Sequence, residues 1–138
     1  MALAASLAAA GWVGPALARS QAEELIGQFL AGKPAGAAPL KVELPDVADN
    51  ANAVPLRILI DEAITEQSYC EEAIVVAEKN PRPLVCKLRF NPRMGAADVA
   101  TRIRLAQTQH VTVLARMNDG RVLQYRQPIT VTIGGCGG

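Results

Sequence analysis

An alternation of apolar and polar residues runs through most of this chain from Leu40 onward. Leu40, Val42 and Leu44 alternate with charged residues, and the run from Val54 to Ile60 has the same period. Side chains two residues apart lie on one face of a strand, so each run predicts a strand with one apolar face. Six further runs of this kind follow: 73–79, 84–90, 99–105, 111–117, 123–125 and 129–133.

The spacing of these runs predicts an all-β fold. Turn residues separate them, most clearly "NPRP" at 80–83 and "NDG" at 118–120. Seven or eight short strands with turns between them favour an immunoglobulin-like antiparallel β-sandwich over a barrel, which stays open as the alternative. We expect this sandwich to occupy residues 40–133.

The residues before the sandwich divide into two parts. Residues 1–18 are uncharged and end in Ala16-Leu17-Ala18, which is typical of the cleavage site of an export signal. No basic residue precedes Arg19, so either the true start lies upstream or the segment is a plain apolar helix. In residues 19–39, a short helix begins at Ser20, places Leu25, Ile26, Phe29 and Leu30 on one face, and is followed by a linker, "PAGAAP".

Composition argues against two classes of partner. The 138 residues have a net charge of +1 and contain only five aromatic residues. Binding of nucleic acid or of an anionic membrane surface needs clustered positive charge, and nucleic acid also favours exposed aromatics. We therefore expect neither nucleic acid nor a membrane as a partner.

Catalytic and metal-binding patterns are also missing from the sequence. His110 is the only histidine, and it lies at the start of a predicted strand, where a lone histidine is far more often an exposed turn residue than a base. Five carboxylates between Asp61 and Glu72 fit a solvated acidic loop. We expect no catalytic residue, no metal ligand set and no bound cofactor.

The chain ends in "VTIGGCGG", in which Cys136 lies between Gly134-Gly135 and Gly137-Gly138. Glycines on both sides predict a flexible arm over residues 134–138, which carries an accessible thiol with no neighbouring cation to activate it. Such a thiol suits a carried group better than a resident catalyst. Of the other two cysteines, Cys86 is expected to be a small buried apolar residue, and the strand register predicts against a Cys70–Cys86 disulfide.

The ending, together with four internal stretches, resembles the SoxY sulfur-carrier family of the periplasmic thiosulfate-oxidising Sox system. These stretches are "NANAVPL" (50–56), "NPRP" (80–83), "FNP" (90–92) and "TRIRLA" (101–106). The resemblance covers the chain from about residue 20 to the end. It implies an immunoglobulin-like sandwich in the periplasm, paired with a SoxZ-like β-sandwich subunit.

The resemblance also implies a role for the C-terminus. Cys136 would be the covalent attachment site for sulfur intermediates, and Gly134, Gly135, Gly137 and Gly138 would form a swinging arm. A SoxAX-like haem enzyme would couple thiosulfate to the cysteine, a SoxB-like hydrolase would release sulfate, and a SoxCD-like enzyme, where present, would oxidise the remaining sulfur. The carrier would catalyse none of these steps.

Two other functions stay open at this stage. A ubiquitin-like sulfur carrier would use its terminal glycine pair, and it predicts a compact β-grasp domain with a helix after the first hairpin. A non-catalytic β-sandwich adaptor would not need Cys136 at all.

Overall fold

The computed structural model describes residues 15–132. This part of the chain contains one α-helix and nine β-strands in two sheets, with one 3₁₀ turn (Pro92–Met94) before the seventh strand. The elements in chain order are α1 (Pro15–Leu30), β1 (Ala35–Gly36), β2 (Leu40–Glu43), β3 (Val47–Ala48), β4 (Val54–Ile60), β5 (Cys70–Ala77), β6 (Leu84–Arg89), β7 (Asp98–Ile103), β8 (Gln109–Met117) and β9 (Val122–Val131).

The two sheets pack face to face as a sandwich. The larger sheet has the order β1-β9-β8-β5-β6, and β3 pairs with β9 as well. Its four long strands are antiparallel, whereas β1 and β3 both run parallel to β9 along the edge that β8 does not occupy. The smaller sheet is antiparallel with the order β2-β4-β7. The predicted all-β sandwich with an N-terminal helix is confirmed.

The main core lies between the sheets. In β4, Val54, Leu56, Ile58 and Ile60 are each no more than 4% exposed, and the residues between them point away from the core. Burial of one such aliphatic side chain contributes about 1.5–3 kcal/mol. The larger sheet supplies the opposing layer: Ala73, Val75, Val111, Val113, Ala115, Leu123 and Ile129.

A second, smaller apolar cluster lies on the outer face of the larger sheet, under α1. Ala22 and Phe29 of the helix pack on Ile74 and Leu114, and the Arg116 guanidinium lies 4.4 Å from the centre of the Phe29 ring. The central strands β5 and β8 are therefore covered on both faces, which explains why their sequences are almost continuously apolar. No helix among residues 15–132 is long and apolar enough to cross a bilayer.

Several boundaries differ from the sequence-based prediction. Helix α1 begins at Pro15 instead of Ser20, and the stretch treated as a linker contains β1. The two runs after residue 122 form one strand, β9, because Pro128 is accommodated opposite His110 without ending the pairing to β8. Ile133, predicted to anchor this strand, lies outside the described residues.

The run 84–90 predicts one apolar face made of Leu84, Cys86, Leu88 and Phe90, and this prediction is wrong for Leu84. A register shift between Val75 and Val76 pairs Val75 with Cys86 but Val76 with Leu84. The resulting bulge turns the start of β6, so Leu84 is 40% exposed.

Burial predicts a large difference between two leucines. Leu56→Ala should lower the free energy of unfolding by about 2–5 kcal/mol because it leaves a cavity in the main core. The matched change at the exposed Leu84 should cost less than about 1 kcal/mol. Urea unfolding followed by circular dichroism measures both, and equal losses would contradict this assignment of the core.

Candidate functional site: the end of strand β9

The residues predicted to carry the function lie outside the part of the chain that the structure describes. These are Gly134, Gly135, Cys136, Gly137 and Gly138. Thr132 is the last described residue, and it lies four residues before Cys136 in the chain. The structure therefore shows how the protein holds the strand that leads into this segment.

Strand β3 holds one edge of this strand end. It pairs with β9 in parallel, with Val47 opposite Thr130 and Ala48 opposite Val131. The Thr130 amide donates to the Asp46 carbonyl at 2.9 Å, and the Thr132 amide donates to the Ala48 carbonyl at 3.2 Å. This two-residue strand carries no signal in the sequence, because so short a segment has no periodicity to detect.

A threonine side chain holds the opposite edge. The β8–β9 ladder ends at the pair Gln109–Ile129. Beyond it, the Val131 amide donates to Thr108 Oγ1 at 2.8 Å, and the Thr108 hydroxyl lies 3.4 Å from the Val131 carbonyl. Thr108 lies just before the first residue of β8, and its hydroxyl thus continues the hydrogen bonding to β9 beyond the end of the backbone ladder.

Two buried amides fix the loop that carries Thr108. Asn80 Nδ2 donates to the Arg104 carbonyl at 2.8 Å, and Asn80 Oδ1 accepts from the Ala106 amide, also at 2.8 Å. Gln109 Nε2 donates to Asn80 Oδ1 at 2.8 Å and to the Gln107 carbonyl at 2.9 Å. Both side chains are at least nine-tenths buried. Because buried amides are costly when unpaired, this network defines the loop conformation closely.

A third segment completes this end of the sandwich. The Leu105 amide donates to the Ala51 carbonyl at 2.9 Å, and Asn50 closes the turn through its own side chain and carbonyl. We call the segments 45–53, 78–83 and 104–108, together with Thr130–Thr132, the C-terminal platform. Three of the four quoted internal stretches contribute to it. The fourth, "FNP", lies at the opposite end, where Asn91 caps the 3₁₀ turn.

Two hollows flank the platform. A groove of about 840 Å³ runs between the β2–β3 connection and β4, and Tyr125 and Gln127 of β9 lie in its lining. The Tyr125 hydroxyl donates to Gln127 Oε1, and Gln127 Nε2 donates to the Leu44 carbonyl and to Asp46. This amide therefore ties β9 to the segment that leads into β3.

The other hollow, of about 580 Å³, contains His110, Lys79 and an ion pair between Arg126 and Glu78. His110 is half-buried there and lies within β8, so the prediction of an exposed turn residue is wrong. No group of three or more histidine, cysteine or acidic residues within the described residues could hold a metal ion.

The carboxylates between Asp61 and Glu72 lie at the end of the sandwich away from the platform. Lys41 pairs with Asp61 at 2.8 Å, and Arg121 pairs with Glu62 at 2.9 Å. Glu72 lies 3.6 Å from Lys87. Asp61 and Glu62 are thus partly neutralised surface groups, as expected of a solvated loop, whereas Glu72 lies in β5 and is half-buried.

The two described cysteines are free thiols, as the register predicted. Cys70 pairs with Met117 and Cys86 with Val75, so the two lie at separate places along the ladder. Burial raises the pKa of the Cys70 thiol to about 11. Cys86 is half-buried, not fully buried as predicted, and desolvation raises its pKa as well.

Comparison with solved structures defines the fold class. The sulfur carrier protein SoxY from Chlorobium limicola f thiosulfatophilum superposes with a TM-score of 0.65 and 21% identity, covering 83% of this chain and 98% of its own. A superoxide reductase (neelaredoxin) from Ignicoccus hospitalis gives a TM-score of 0.59 at 16% identity, covering 67% of this chain and 79% of its own. A putative superoxide reductase from Thermotoga maritima gives 0.56 at 18%, covering 72% and 88%. At these identities the likeness shows a shared two-sheet fold.

The sequence itself shows the family. The family model of the sulfur oxidation protein SoxY matches residues 26–136, from within α1 to Cys136. The chain therefore belongs to the SoxY family, as its resemblance predicted. Comparison with curated proteins gave no match.

The platform predicts a local effect for Thr108→Val. The substitution keeps the shape but removes the hydroxyl that accepts from the Val131 amide. Loss of a hydrogen bond worth about 1 kcal/mol should speed hydrogen exchange at that amide about fivefold. The control is Thr112→Val, because the buried Thr112 hydroxyl has no partner in the described part of the chain. This control should leave the Val131 exchange unchanged, and an equal effect of both variants would refute the anchor.

Thiol reactivity at pH 8 should separate the cysteines. The thiolate is the reactive form, and a pKa of about 11 gives Cys70 a thiolate fraction on the order of 100 times lower than that of an unperturbed thiol. Iodoacetamide should therefore spare Cys70 in the folded protein and label it in denaturant. Peptide mass spectrometry measures both, and rapid labelling of folded Cys70 would contradict its burial.

Proposed function

We propose that this protein is a covalent sulfur carrier in thiosulfate oxidation and that Cys136 is the attachment site. The observation that carries the proposal is the extent of the family match, which reaches Cys136 itself. The solved SoxY structure with the same fold is named a sulfur carrier protein. The carrier would hold its intermediate as a cysteine conjugate and need no further cofactor.

The platform suits this role because it fixes the point from which the last residues start. Thr132 is bonded to Ala48, and its neighbour Val131 is bonded to Thr108. Each extended residue advances the chain by at most roughly 3.5 Å, so Cys136 can reach about 14 Å from Thr132. Gly134, Gly135, Gly137 and Gly138 keep this arm narrow, so that the thiol can enter an enzyme channel.

The chemistry needs separate enzymes. Joining the Cys136 thiolate to the outer sulfur of thiosulfate forms an S–S bond and releases two electrons, which a SoxAX-like haem enzyme would accept. Water would then cleave the bond to the sulfonate group in a SoxB-like hydrolase, which releases sulfate and leaves a persulfide. A SoxCD-like enzyme, where present, would oxidise that persulfide. This chain supplies only the thiol and its position.

Assembly and location complete the proposal. The carrier would form a heterodimer with a SoxZ-like β-sandwich subunit in the periplasm, and residues 1–18 would be its export signal. The ubiquitin-like alternative loses support because the described residues form a two-sheet sandwich, with the helix preceding every strand. The adaptor alternative and the carrier function predict the same fold, and they differ only in whether the function needs the Cys136 thiol.

The decisive test is the mass of the peptide that contains Cys136. Protein purified from sulfur-oxidising cells without reductant should carry sulfur or thiosulfate adducts on the tryptic peptide 127–138, and dithiothreitol should remove them. Cys136→Ser should abolish both the adduct and thiosulfate-dependent turnover, since the two thiols among the described residues are buried (Cys70) and half-buried (Cys86). Cys86→Ser, a matched loss of one thiol, should retain both. Retained turnover in Cys136→Ser would establish the adaptor function instead.

A further inference from the structure

The net charge of +1 conceals a strong separation of charge along the chain. Residues 39–79 contain nine carboxylates and three basic side chains. Residues 80–110 contain one carboxylate, Asp98, and six basic side chains: Arg82, Lys87, Arg89, Arg93, Arg102 and Arg104. The overall charge that argued against charged partners is thus the balance of two oppositely charged segments.

The fold places the basic segment along one side of the sandwich. Strand β6 is the edge of the larger sheet and β7 is an edge of the smaller one. The 3₁₀ turn joins them at one end, and the hydrogen bond from Asn80 to the Arg104 carbonyl joins them at the other. We call the side formed by β6, the 3₁₀ turn, β7 and their flanking arginines the basic side.

The arginines of the basic side lack partners of opposite charge. Arg82, Arg89, Arg93, Arg102 and Arg104 are all exposed, and none of them makes an ion pair with the residues that the structure describes. The one carboxylate of the segment is already engaged, because Asp98 binds Arg57 at 2.7 Å and this contact lowers the pKa of Asp98. Lys87 is paired with Glu72.

The arginines elsewhere in residues 21–132 are paired instead. Arg57, Arg121 and Arg126 each form an ion pair with a nearby carboxylate. Unpaired charges of one sign repel one another and lower the stability of the folded state. Their accumulation along one side therefore does not stabilise the fold, and it indicates a surface that binds an oppositely charged partner.

The residue types on the basic side indicate that the oppositely charged partner is a protein. Interfaces are enriched in arginine and methionine, and two of the exposed apolar side chains, Leu84 and Met94, lie in this segment. Nucleic acid favours aromatic side chains for stacking, but the only aromatic residue of the segment, Phe90, is 8% exposed. Membrane surfaces favour a basic amphipathic helix, whereas this side consists mainly of strand edges.

We propose that the basic side is the docking surface for an acidic surface of the sulfate-releasing hydrolase that acts on Cys136. The proposal rests on the carrier function above. The loop that bears Arg104 also bears Thr108, which holds Val131. An enzyme docked at the Arg82–Arg104 end would therefore lie close to Val131, near the end of β9. Charge attraction of this kind mainly raises the rate of association.

Charge reversal at this end tests the proposal. Arg82→Glu and Arg104→Glu change exposed side chains that make no ion pair in the described structure. Lys33→Glu is the matched control, because Lys33 is an exposed cation whose ammonium contacts only the Gly120 carbonyl, away from the platform. Circular dichroism and thermal unfolding should show all three variants folded.

The readout is unloading of a chemically loaded carrier. Tetrathionate is the oxidant for loading: the Cys136 thiolate attacks one of its inner sulfurs, which forms the cysteine–thiosulfate conjugate, breaks the central S–S bond and releases thiosulfate with the electron pair. The sulfate-releasing hydrolase of the same organism then acts on each variant, and intact mass follows the loss of the sulfonate group. At low salt, each arginine reversal should slow the second-order rate on the order of tenfold, and the difference should shrink at about 0.3 M salt. Lys33→Glu should stay within about twofold of wild type, as expected of a charge far from the contact.

Three outcomes would overturn the proposal. Equal slowing by Lys33→Glu would show an effect of net charge alone, and unchanged rates in the arginine variants would show that the enzyme docks elsewhere. Binding of duplex DNA or of anionic phosphatidylglycerol vesicles that the same reversals abolish would assign the basic side to those partners. If the loaded wild type is itself never unloaded, the carrier function fails instead, which separates the two failures.

Discussion

The structure depends on hydrogen bonding along both edges of β9. Strand β8 pairs with one edge from Gln109 to Arg116, while β1 and β3 pair with the other edge at its two ends. The inner face of β9 also closes the main core, through Leu123 and Ile129. A strand held in this way cannot shift its register without exposing apolar side chains and breaking several hydrogen bonds at once. The fixed register determines where Thr132, the last described residue, lies.

The fold could be predicted from the sequence because its main signal is local. Alternation in β4, turn residues such as Asn118 to Gly120, and the apolar face of α1 each depend on residues close in the chain. The start of β6 was predicted wrongly because a bulge inserts one residue without changing the pattern. Strands β1 and β3 were missed because their pairing partner, β9, is more than 80 residues away and two residues cannot display a period.

The candidate site was predicted only in part. The glycine-flanked Cys136 is visible in the sequence because its composition is unusual. The platform at the end of β9 depends on the side chains of Asn80, Thr108 and Gln109, which are common residue types in a loop and at a strand end. Their role arises from long-range contacts: Asn80 bonds to Arg104 and Ala106, more than 20 residues away. In "NPRP" the prolines indicate the turn, whereas the side chain of Asn80 joins this turn to the loop after β7 through its hydrogen bonds to Arg104 and Ala106.

Anchoring and charge act on different steps of the same process. The platform is uncharged at its centre: amides, a hydroxyl and backbone groups hold Val131 and Thr132, and these contacts are insensitive to salt. The basic side is made of exposed arginines, whose influence extends about 10 Å at moderate ionic strength and falls as salt is added. The proposed carrier would visit several enzymes, so it would need a fixed origin for its thiol together with partners that dissociate readily. Under this proposal, short-range bonds within the chain would supply the first, and screened charges at the surface would supply the second.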